Sequence, residues 1–65
     1  MPIPLIPNVT LLCDRLTGIV IRFKQAFKNE GHYYWYGTII DAAGSSMPLG
    51  CPYSGKRDRW TEVER

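Results

Sequence analysis

The sequence predicts an all-β domain, a small curled antiparallel sheet or SH3-like barrel of four to five strands, with room for one short helical turn. Three observations carry this. β-Branched and aromatic residues gather in runs that alternate with polar ones at a period of two. Glycine punctuates those runs at hairpin spacing, at Gly18 after Asp14 and at Gly31 after Asn29. The chain has 65 residues, enough for one domain but too few for the strand–helix–strand units of a parallel sheet.

Residues 1–7 predict an extended, proline-containing arm, because each proline fixes φ near about −65° and removes an amide donor. Pro4-Leu5-Ile6-Pro7 has the P-x-x-P spacing of peptides that dock in aromatic grooves. Short matches of this kind are frequent, so packing across the domain's own core or an edge strand is the preferred reading. A single β domain is expected over 8–65. Its first strand is Val9–Cys13, and Asp14–Gly18 is a turn in which the aspartate caps locally and Gly18 takes positive φ.

A second strand starts at Ile19. Period two puts Ile19, Ile21, Phe23 and Phe27 on the buried face and Val20, Arg22, Lys24 and Lys28 on the other. A rival helix exists, since Leu12, Leu16, Ile19, Phe23 and Phe27 also fall at helical spacing. It would carry Gly18 inside, at a cost of about 1 kcal/mol, and three consecutive β-branched residues in one turn. The strand is preferred, and a strand to Phe23 followed by one helical turn is the intermediate form. Lys28–Gly31 predicts a tight turn with Gly31 in the left-handed region, as in a hairpin with a G1 bulge.

The third strand, His32–Asp41, is the segment richest in aromatic and β-branched residues. Tyr33, Trp35 and Ile39 are expected inward, and His32, Tyr34, Tyr36 and Thr38 outward. Gly37 predicts a bulge or sharp bend, and a bulge there would exchange the faces beyond it. Residues 42–56 read as loop from their Gly, Ser and Pro content, with a short strand within Met47–Tyr53. Residues 59–64 predict the last strand.

Composition bounds the function. At 45% hydrophobic and 12% aromatic, the chain lies outside the disordered class. The +2 net charge is mild for a dedicated nucleic-acid binder, although Lys56, Arg57 and Arg59 cluster, as do Arg22, Lys24 and Lys28. The apolar start lacks a basic region and is broken by proline, and no run approaches the ~18–20 apolar residues of a membrane span. A cytoplasmic protein without membrane contact is expected. There Cys13 and Cys51 would be free thiols, although a bridge between them would contribute about 4 kcal/mol.

Chemical motifs are incomplete. Gly50-Cys51-Pro52-Tyr53-Ser54-Gly55-Lys56 satisfies the front of a phosphate-binding loop, G-x-x-x-x-G-K. That loop needs Ser or Thr next and a helix behind it, whereas Arg57 follows and strand is expected. Cys13, His32 and Cys51 are the only Cys and His residues, too few and too scattered for a zinc site. A nucleophile–histidine pair would need Cys13 or Cys51 beside His32 and an orienting acid. No catalytic set, metal or cofactor is expected. The main way an enzyme could survive is as an oligomer with its cleft on a symmetry axis.

Surface is left. Arg22, Lys24, Tyr34 and Tyr36 are expected side by side on the outward sheet face, joined by Lys56, Arg57, Arg59 and Trp60. Tyr, Trp and Arg anchor protein interfaces, so the first expectation is a non-catalytic adaptor or inhibitor that docks a protein partner. The alternative is single-stranded nucleic acid, whose bases stack on rings and whose phosphates pair with cations. A chain this short without a catalytic set is expected to be an accessory protein of the sort phages and mobile elements encode.

Overall fold

The computed structural model describes residues 5–63. Five strands form: β1 (Leu11–Asp14), β2 (Val20–Asn29), β3 (His32–Asp41), β4 (Pro52–Lys56) and β5 (Trp60–Glu62), with a 3-10 turn at Arg57–Arg59. They make one antiparallel sheet in the order β4-β3-β2-β1-β5. The all-β prediction holds. The rival helix does not form, since β2 is strand through Asn29. Of the two predicted architectures, the open, curled sheet is the one present, and its strands do not close into a barrel.

Curling follows from the contacts between the two edges. β4 and β5 lie at opposite ends of the strand order, yet Trp60 Nε1 donates to the Gly55 carbonyl at 3.1 Å. The Trp60 and Tyr53 rings also meet edge to face at 5.9 Å. The enclosed core is Leu12, Ile19, Ile21, Phe23, Ile39 and Trp60, with Leu5, Trp35, Ala42, Met47, Cys51 and Tyr53 packed against it. Trp60, expected on the surface, is therefore a core residue. Its ring fills the gap between the edges, and its one polar atom finds a carbonyl there.

A fully buried carboxylate ties the same corner. Asp14 accepts from the Leu16 amide at 2.9 Å, the Tyr53 hydroxyl at 2.8 Å and the Arg59 guanidinium, with which it forms an ion pair. Burial pushes the Asp14 carboxyl up, but the hydrogen bonds from Leu16, Tyr53, Arg59 and Thr17 together outweigh it and hold it below the usual carboxylate range. Aspartate as a local cap was legible in the sequence. Arg59 as its partner was not, and Arg59 serves this lock rather than the outward face. The Arg15 amide donates to the Arg59 carbonyl at 2.8 Å, and Arg15 Nη2 donates to the Asp58 carbonyl, so the β1–β2 turn and the 3-10 turn are joined twice more.

Several boundaries differ from expectation. Met1 to Pro4 of the expected arm, and with them the start of the P-x-x-P match, lie outside the described residues. Val9 belongs to a turn closed by bonds from the Val9 and Thr10 amides to the Ile6 carbonyl, both 3.0 Å, so β1 begins later than expected. The β2–β3 loop is two residues, Glu30 and Gly31, both at positive φ, between the paired Asn29 and His32. That is the requirement of a type I′ turn rather than of a G1 bulge. The strand expected within Met47–Tyr53 is β4, shifted toward the C-terminus. Cys13 and Cys51 are free, half-buried thiols.

The largest difference is the position of the bulge. Phe23 faces Gly37 and Gln25 faces Tyr36, so Lys24 is an extra, unpaired residue in β2. Gly37 is the cause, because a Cβ there would sit 2.1 Å from the Arg22 carbonyl oxygen. The glycine permits the close approach, and the irregularity falls on the opposing strand. Faces therefore exchange along β2 at Lys24, and a second irregularity leaves Ile40 unpaired in β3, where Val20 faces Asp41 and Ile21 faces Ile39. Phe27, expected in the core, moves to the outer face, and Lys28 moves to the inner one.

Candidate functional site

Register defines the outer face. Arg22 stands opposite Thr38, Gln25 opposite Tyr36, and Phe27 opposite Tyr34. On the next strand Tyr36 faces Ser54 and Tyr34 faces Lys56. Cross-strand partners share a face, so Phe27, Tyr34, Tyr36, Arg22 and Lys56 all lie on the side away from the core. The Phe27 and Tyr34 rings stack, with centroids 5.3 Å apart and planes 12° from parallel. Phe27 is 39% exposed, and Tyr34 and Tyr36 are half-buried. Lys24 is exposed at the bulge between the Arg22 and Gln25 rows. Asp41, which register places beside Val20, lies at the end of the strands away from the stacked rings, and its carboxylate accepts the Ala43 amide at 2.9 Å.

The structure thus brings together four expected site residues, Arg22, Tyr34, Tyr36 and Lys56, with Lys24 next to them. It sends Arg59 and Trp60 into the lock and the core. Arg57 lies elsewhere: its guanidinium sits 5.2 Å from the centroid of the Tyr33 ring, which Lys28 Nζ also approaches at 5.5 Å. Tyr33, expected inward, is 48% exposed because the hairpin runs past the core. Phe27 was missed as a site residue. The signal that could have found it is Gly37, once the bulge is assigned to the strand opposite the glycine.

Between the hairpin end and the 3-10 turn is a cleft of about 300 Å³ lined by Gly31, His32, Tyr33, Lys56, Arg57 and Asp58. The segment that resembles a phosphate-binding loop is mostly strand: Pro52–Lys56 is β4, and Gly55 packs against the Trp60 ring. Among the described residues, no three His, Cys, Asp or Glu side chains gather as metal ligands. No helix among them is long and apolar enough to cross a membrane. Compared with protein-family models, curated proteins and solved structures, the chain matches none.

Proposed function

We propose that this chain is a non-catalytic binding module that docks a protein partner through the outer face of β2, β3 and β4. The observation that carries the reading is the stacked Phe27–Tyr34 pair, left partly in water while the core is completed elsewhere. A 65-residue domain has little apolar area to spare, and an exposed ring pair removes some of it from the core. Tyr36 extends the ring surface by one row, and Arg22, Lys24 and Lys56 border it. Tyrosine and arginine are residue types that dominate interface energetics, and the two lysines suit a polar rim. The test is affinity capture from host lysate treated with nuclease. Wild type should retain a partner, and Tyr34→Ala and Phe27→Ala should lose it while keeping wild-type amide dispersion. Capture unchanged by both variants overturns the reading.

A second reading, single-stranded nucleic acid on the same face, is favoured by the spacing of Tyr34 and Tyr36. Alternate residues on a strand sit about 7 Å apart, and ring platforms of this kind stack successive bases. It predicts binding of a labelled oligonucleotide that weakens as salt rises. No binding at low salt removes it.

A further inference from the structure

We propose that the stretch of β2 beyond β1 is a docking edge for an extended, acidic segment of a protein partner, added to the sheet as a further strand. The proposal rests on the protein-binding reading above and names how the partner is held. β1 covers β2 only as far as Arg22, which stands opposite Leu11. Two bonds extend that cover by one residue. The Phe23 amide donates to the Thr10 carbonyl at 2.8 Å, and the Asn8 amide donates to the Phe23 carbonyl at 2.7 Å. From Lys24 to Asn29 the strand has β3 as its one neighbour among the described residues, and all of these residues are exposed.

Backbone direction follows from the turn. Asn29 and His32 flank a two-residue loop, so they are a hydrogen-bonded pair. Bonded and non-bonded pairs alternate along an antiparallel ladder. Phe27 and Gln25 therefore bond to β3, and the N–H and C=O groups of Lys28 and Ala26 point out of the sheet edge. Among the described residues, no backbone group from the β1 side meets them. Another extended strand satisfies such a row of donors and acceptors together. Charge selects the kind of strand. Segment 24–29 carries Lys24 and Lys28 and no carboxylate. A second copy would bring both lysines of each chain into one seam, and edge lysines guard against that pairing. Carboxylates on an incoming strand turn the same lysines into favourable cross-strand pairs. Register also sorts the partner's side chains. Lys28 lies on the inner face, and Phe27 lies on the outer face in the row of Tyr34. Successive residues of a strand point to opposite faces. An acidic residue beside Lys28 and an apolar one beside Phe27 therefore fit consecutive positions of the partner.

The test uses the full chain, labelled with nitrogen-15, and a capped peptide of alternating glutamate and valine. Amide hydrogen exchange is followed residue by residue. In the free chain the Ala26 and Lys28 amides should exchange fast while those of Gln25 and Phe27 are protected. Saturating peptide should slow Ala26 and Lys28, and a peptide of alternating lysine and valine should not. Lys28→Glu should weaken the glutamate peptide about fivefold. Ala26→Pro removes one outward donor at a position that an edge strand tolerates. It should abolish both the peptide's protection of Lys28 and partner capture, with the outer-face rings left in place. Capture lost in Tyr34→Ala but kept in Ala26→Pro and Lys28→Glu overturns the edge and leaves the outer-face reading standing. Capture lost in Ala26→Pro but kept in Tyr34→Ala and Phe27→Ala does the reverse. Equal protection by the lysine peptide overturns the proposal. So does slow exchange at Ala26 and Lys28 in the free chain, and its growth with protein concentration would mark a second copy as the occupant.

Discussion

At the β1–β5 corner, the Asp14 carboxylate is wholly out of water and both its oxygens are engaged. At the hairpin end, by contrast, Phe27 and Tyr33 keep 39% and 48% of their surface in solvent, and Lys28, Lys56 and Arg57 have no carboxylate partner among the described residues. Both regions are rich in aromatic and charged groups. They differ in whether those groups are consumed by the fold. In the corner, every buried polar side-chain atom among the described residues is satisfied, so substitution there should cost stability. At the hairpin end, the groups hold little of the structure together, so substitution should cost contacts with a partner instead.

The sharpest test of that contrast is Arg59→Ala. It leaves a fully buried carboxylate without its counter-ion, which costs about 3–5 kcal/mol. A domain of 65 residues has a total stability of roughly 3–10 kcal/mol, so urea unfolding should show a large loss or no folded baseline. Asp14→Ala should cost less, because the Arg59 side chain it strands is 31% exposed and can rehydrate. The double variant should lose less than the two singles summed. The reverse order of the singles would break the account of the corner.

The same pair has a pH signature. Asp14 titrates below its unfolded value, so its contribution is present above about pH 4 and is lost as pH falls through the lower folded value. Unfolding midpoints measured downward from pH 6 should drop in that acidic window, and Asp14→Asn should flatten the drop.

Gly37→Ala probes the joint between the two regions. Its methyl would meet the Arg22 carbonyl, and the overpacking should cost about 1–3 kcal/mol. Thermal unfolding measures the loss, and amide shifts in 22–29 should reveal a disturbed bulge. The smallest stability change is expected from Phe27→Ala. Losing one stacked pair should cost only about 0.5–1.5 kcal/mol while partner capture disappears. A loss as large as that of Arg59→Ala would show Phe27 to be part of the core.

Local chemistry made much of this fold legible. The turn at Gly18, the left-handed Gly31 and the span of β3 all follow from backbone preference and period two, which act over a few residues. The parity of β3 was also readable, since Trp35 and Ile39 pack inward while Tyr34 and Tyr36 do not. Parity along β2 was not, because it depends on which of two paired strands absorbs the strain at Gly37. That choice is made by the approach of the Arg22 carbonyl, a contact between residues distant in sequence. Arg59 and Trp60 look like surface groups until the sheet curls and brings β5 against Asp14 and β4. Sequence patterns set strands, turns and most faces, because those depend on neighbours along the chain. Curvature decided which rings and cations were left for a partner, because only closure of the core determines which side chains it needs.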